Sequence, residues 1–83
     1  MATKPAVKQT ANRPVHEIRY GSVKTVIWCN QTVNGAMHNV TVARLYKDGD
    51  QWKESASFGL EDLLVLAKAL SNAHTWIYEN RDA

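Results

Sequence analysis

Only one stretch of the chain carries a long helical pattern, Gly59 to Glu79, GLEDLLVLAKALSNAHTWIYE, and it limits what everything upstream can be. Leu63, Leu66, Ala67, Leu70, Ala73 and Ile77 recur at helical spacing, with no Gly or Pro inside the run to break it. A second apolar row, Leu64, Val65, Ala69 and Trp76, lies partly off that face, so the first half of the helix is apolar around more than half of its circumference. A helix on a monomer needs one buried stripe. The excess predicts burial on two sides, against the chain's own sheet and against a second subunit. Leu64, Val65, Leu66, Ala69 and Trp76 are the residues expected at that homodimer contact. A single thick core is the alternative.

With 83 residues the chain suits one small domain, and a core of that size gains from oligomerisation. Cys29 is the single cysteine, which leaves no internal disulfide framework and no cysteine zinc cluster. The N-terminus lacks the apolar core of a secretory signal, and no apolar run is long enough to span a bilayer, so a cytoplasmic protein without a membrane partner is expected. Asn30-Gln31-Thr32 and Asn39-Val40-Thr41 match glycosylation sequons, which carry no weight without an export signal.

Residues 1–14, MATKPAVKQTANRP, are small, polar and punctuated by Pro, and carry Lys4, Lys8 and Arg13 with no acid; they read as a disordered basic tail ahead of one domain over residues 15–83. HEIRYGSVKTVIWCNQT is then rich in strand-forming residues, with Gly21 placed for a bulge or tight bend. Val33-Asn34-Gly35 predicts a hairpin of type I′, and Asp48-Gly49 a second turn of the same kind between HNVTVARLYK and QWKESASF. Ser57 precedes the helix, with Glu61 and Asp62 in its first turn, where carboxylates favour the positive end of the dipole. The expected fold is α+β, an antiparallel β-meander in the order ββββα.

Catalytic chemistry has little to use. His16, His38 and His74 fall on three separate elements without an HxxxH or HExxH pair, and Asp48 and Asp50 flank a turn glycine as solvated turn residues do. Cys29 sits inside an apolar strand, where a buried inert thiol is expected. No Gly-rich phosphate loop and no G-x-S-x-G occurs. The sequence therefore offers no catalytic residue, no metal ligand set, no cofactor and no small-molecule substrate.

What it does offer is a sheet that interleaves cations and rings: Arg19, Tyr20, Lys24, Trp28, Arg44, Tyr46, Lys47, Trp52 and Lys53. Cations follow phosphates while exposed rings stack on bases, which suits a single strand of nucleic acid. Strand alternation puts Lys24, Val26 and Trp28 on one face, and sets Arg44 and Tyr46 opposite Ala43 and Leu45. Trp52, Ala56 and Phe58 share a side opposite Lys53, Ser55 and Ser57, and Trp52 and Phe58 are expected under the helix. Arg19, Lys24, Trp28, Arg44, Tyr46, Lys47 and Lys53 form the expected binding set. Core packing for the rings, and ordinary surface charge for the cations, are the competing readings.

The order ββββα with a long C-terminal helix carries a resemblance, and two short motifs support it. Ile18-Arg19-Tyr20-Gly21-Ser22-Val23-Lys24 is similar to the opening strand, apolar-Arg-Tyr-x-Ser-Val-basic, of the family of the transcriptional coactivator positive cofactor four and its Whirly-like relatives. Val42-Ala43-Arg44-Leu45-Tyr46 is similar to that family's apolar-x-Arg-x-Tyr strand. The resemblance runs over about 60 residues from Ile18. It implies dimerisation through the helices, single-stranded DNA on a curved sheet, and DNA contacts at Arg19, Lys24 and Arg44. The chain departs from it at Val26, where the coactivator has a stacking Phe, and at Lys47, where it has a stacking Trp; Trp28 is the expected replacement for the first. HNVTVARLYKDGDQWK and AHTWI also resemble short bacterial proteins with no assigned role. The function expected is non-enzymatic binding of single-stranded DNA, or RNA, as a homodimer accessory to transcription, replication or repair. A protein-interaction or structural module on the same fold is the alternative.

Overall fold

The computed structural model describes residues 12–80. Strands β1 (Asn12–Tyr20), β2 (Val23–Thr32), β3 (Gly35–Asp48) and β4 (Gln51–Ser55) form one antiparallel sheet in the order β1-β2-β3-β4. A 3-10 turn (Leu60–Asp62) leads into the helix α1 (Leu63–Asn80). The ββββα order expected from the sequence is the order observed. Among the described residues, no helix is long and apolar enough to cross a membrane.

Every link between strands is two residues long, but the turn chemistry differs from expectation. A type I′ turn needs positive φ at both central residues. In the β2–β3 loop these are Val33 and Asn34, and no described non-glycine residue has positive φ; here it is Gly35, one position later, that takes it, at +113°. Thr32 closes this turn instead, its Oγ1 accepting from the Asn34 N–H at 3.1 Å and donating to the Gly35 carbonyl at 2.7 Å. Between β3 and β4 the central pair is Gly49-Asp50, with Gly49 at φ +65° in first position, the glycine-first pattern of a type II′ turn.

β1 begins at Asn12, three residues before the expected domain boundary. Pro14 is tolerated because β1 is an edge strand, and the register against β2 slips by one residue at Val15, a bulge. The remainder of the expected tail lies outside the described residues.

The core is one row of β2 against one row of α1. Val23, Thr25, Ile27 and Cys29 point the same way and are buried, and Ala69 and Ala73, four residues apart on α1, are buried opposite them. Two alanines let the helix backbone come close to the strand. Farther along α1, Trp76 needs more room and takes it between two histidines, stacked on His16 at 4.9 Å between ring centroids and edge-on to His38 at 6.2 Å. This seating fixes the helix rotation. Val65, Leu66, Ala69, Ala73, Trp76 and Ile77 turn toward the sheet, while Leu63, Ala67 and Leu70 of the expected packing row face outward with Leu60, Leu64 and Tyr78. Gly59, not Ser57, caps the first turn, and the Asp62 carboxylate accepts the Gly59 N–H at 3.2 Å.

The helix rotation makes a testable contrast. Ala69→Leu, which adds volume where helix and strand touch, is expected to destabilise the fold by about 1–3 kcal/mol in urea melts. Leu64→Gln, at an outward position, is expected to stay within about 0.5 kcal/mol of the wild type. Reversed sensitivities would contradict the rotation.

Candidate nucleic-acid interface

Helix α1 packs on β1 and β2, which leaves the opposite face of the sheet without a covering element among the described residues. Because Val23, Thr25, Ile27 and Cys29 point to the helix, Lys24, Val26 and Trp28 point to this open face. Their cross-strand neighbours follow from the register: Arg19 and Ala43 flank Lys24, Glu17 and Thr41 flank Val26, and Asn39 lies opposite Trp28. Farther out, Leu45 pairs with Glu54 and Lys47 with Trp52.

Trp28 lies down on this face rather than standing out from it. Its Nε1 donates to Thr41 Oγ1 at 2.9 Å, so the indole leans over the neighbouring pair, and Val26 is buried without any help from the helix. Lys24 Nζ is 3.1 Å from Glu54, and Arg19 is 3.7 Å from Glu17. Lys47 lies over the Trp52 ring at 5.9 Å. Trp52 itself is 68% exposed. The expectation that Trp52 packs under the helix with Phe58 is therefore corrected: β4 ends at Ser55, so strand alternation does not carry from Trp52 to Phe58, and only Phe58 is half-buried.

The seven expected binding residues separate into two groups. Arg19, Lys24, Trp28 and Lys47 share the open face. Arg44, Tyr46 and Lys53 are on the other one, because Arg44 pairs with the inward Val23 and Tyr46 pairs with Lys53. Arg44 is already occupied: its Nε donates to the Ser57 carbonyl at 2.8 Å, lies 3.9 Å from the Asp62 carboxylate, and its guanidinium sits over Tyr46. It ties β3 to the entry of α1. Lys53 pairs with Asp48 at 3.0 Å. Trp52 is the ring that sequence reasoning missed. Its position is countable from the hairpin, since a loop of Gly49 and Asp50 puts Asp48 opposite Gln51 and Lys47 opposite Trp52.

Of the five expected dimer residues, Ala69 is fully buried against the chain's own sheet, Val65, Leu66 and Trp76 are half-buried on the same side, and only Leu64 points fully outward. A shallow groove runs between β1 and α1, lined by His16, Tyr20, Asn72, Thr75, Trp76 and Glu79. The Asn72 amide and Tyr20 hydroxyl hydrogen-bond across it. No group of His, Cys, Asp and Glu that could hold a metal occurs among the described residues.

If Arg44 is a structural tie, Arg44→Ala is expected to cost about 1.5–3 kcal/mol of folding free energy, because it removes a charged donor from the Ser57 carbonyl. Trp52→Ala is expected to leave stability within about 0.5 kcal/mol. Chemical denaturation of the two variants checks both.

Comparison with protein-family models, with curated proteins and with solved structures found no match to this chain, so the resemblance to the positive cofactor four family rests on the ββββα order and two short motifs.

Proposed function

We propose that the chain binds single-stranded DNA on the open face of its sheet, without catalysis and as a homodimer, in the cytoplasm and as an accessory to transcription, replication or repair. The observation that carries this reading is the grouping of Arg19, Lys24 and Lys47 with Trp28 and the exposed Trp52 on the face that no described element covers. The Lys24–Glu54 and Arg19–Glu17 pairs are partly exposed, and such pairs are worth at most about 1 kcal/mol each, so phosphates can displace the carboxylates at low cost. Trp52 offers a ring to an unpaired base. A duplex hides its base faces and gains nothing from that ring, which is the physical basis for preferring single strands.

A second reading, a protein-interaction module, draws on the outward row of α1, where Leu63, Leu64 and Leu70 are exposed, and on the exposed Leu60 of the 3-10 turn that leads into it.

Fluorescence anisotropy with labelled single-stranded DNA, duplex DNA and RNA at two salt concentrations tests the proposal. Lys24→Ala combined with Lys47→Ala is expected to weaken single-strand binding regardless of sequence and to shallow the salt slope by about 0.7 for each phosphate no longer neutralised. Trp52→Ala is expected to cost about 1–3 kcal/mol of binding with the slope unchanged, because stacking releases few counterions. A wild type that binds single strands no better than duplex, or a double variant that binds unchanged, would overturn the proposal in favour of the interaction module.

A further inference from the structure

β3 is 14 residues long, but β4 pairs only with Arg44–Asp48. On the side away from β2, the edge of β3 from Gly35 to Ala43 therefore has no strand partner among the described residues. Alternate residues of such an edge direct both their N–H and C=O outward, and these groups need partners.

The other two edges of the sheet are defended against strand addition. β1 carries Arg13, Pro14, the bulge at Val15, Glu17 and Arg19. β4 is five residues long and carries Lys53 and Glu54. The β3 window, GAMHNVTVA, has no Asp, Glu, Lys, Arg or Pro, and its register against β2 is unbroken. Met37 is 54% and Val40 36% exposed along it. This is the kind of edge that pairs with another strand.

We infer that this window pairs with the same window of a second copy of the chain. The inference rests on the homodimer in the proposed function and names its surface. The window is closed at both ends, by β4 at Arg44 and by the Val33–Asn34 turn, which folds toward β2. A strand from elsewhere is blocked at the β4 limit and finds no edge groups to pair with beyond the turn. A second copy fits these limits by construction, because its own window has the same length and the same two stops. Antiparallel pairing about a two-fold axis then sets Gly35 opposite the partner's Ala43 and Asn39 opposite the partner's Asn39. On the open face Met37 meets the partner's Thr41, and on the helix side His38 meets the partner's Val40 and Ala36 the partner's Val42. No pair brings two charged carboxylates or ammonium groups together. Both helices come to lie on one side, and the two open faces merge into one continuous surface on the other.

The self-pair at Asn39 provides the test. Asn39 is exposed on the open face, so charged residues are compatible there with the folded protomer. In sedimentation velocity of the full chain, the wild type is expected to be a dimer. Asn39→Lys and Asn39→Asp are each expected to weaken it about fivefold or more, and an equimolar mixture of the two is expected to restore it through Lys–Asp pairing. Under mild oxidation Asn39→Cys is expected to cross-link between copies much faster than Val33→Cys, since the exposed turn positions lie far apart in the dimer; circular dichroism checks that each variant is folded. A monomeric wild type overturns the homodimer and the edge pairing together. A dimer that both charge variants leave unchanged, a mixture that restores nothing, or Asn39→Cys cross-linking no faster than Val33→Cys overturns the edge pairing. The oligonucleotide titrations report on nucleic-acid binding independently of all these outcomes.

Discussion

The close seat of α1 on β2, made through Ala69 and Ala73, is the contact from which the other features of the molecule follow. Small side chains bring the helix near Val23, Thr25, Ile27 and Cys29, which form the buried row of the central strand. Burying a side chain the size of Ile27 contributes about 1.5–3 kcal/mol, and a chain this short has few such residues, so this row is where most of the stability is concentrated. The seat has a geometric cost. A single helix cannot cover four strands, and once it sits over β1 and β2 it leaves, among the described residues, the far half of β3 without a lid on one side and the whole opposite face open.

Much of this was legible in the sequence. VKTVIWC alternates so that Lys24, Val26 and Trp28 separate from Val23, Thr25 and Ile27, and the structure keeps that separation. The turns fell where Gly21, Gly35 and Gly49 stand, although only the structure shows which residues take positive φ. Relations between elements were harder to read. Alternation within β3 places Arg44 opposite Leu45 but does not say which of them shares a face with Lys24; the pairing of Arg44 with Val23 decides that. The helix is apolar on nearly every side of its first half, so periodicity alone could not choose its buried face. The space needed by Trp76 between His16 and His38 chose it.

Arg44 shows how a motif position can be taken up by the fold itself. Its strand resembles a DNA-contacting one, yet its guanidinium is held by the Ser57 carbonyl, Asp62 and Tyr46, and through them it fixes where the chain leaves the sheet and enters α1. The cations of the open face have looser ties. Lys24 and Arg19 meet carboxylates that are about half exposed, and Lys47 rests on an exposed ring, so all three can change partners without disturbing the core. Arg44 on the helix side serves the fold, whereas Lys53, paired with Asp48 at the exposed β3–β4 hairpin, is as loosely tied as the cations of the open face.

The claim that the open face is the binding surface is tested most directly by following backbone amide chemical shifts during titration with an unlabelled thymidine oligonucleotide. Shifts are expected to concentrate at Arg19, Lys24, Val26, Trp28, Lys47 and Trp52, along with the Trp28 and Trp52 indole N–H signals, while Leu60 and the outward row of α1 stay still. Shifts confined to Leu60, Leu64 and Leu70, or none at concentrations where anisotropy reports binding, would contradict it.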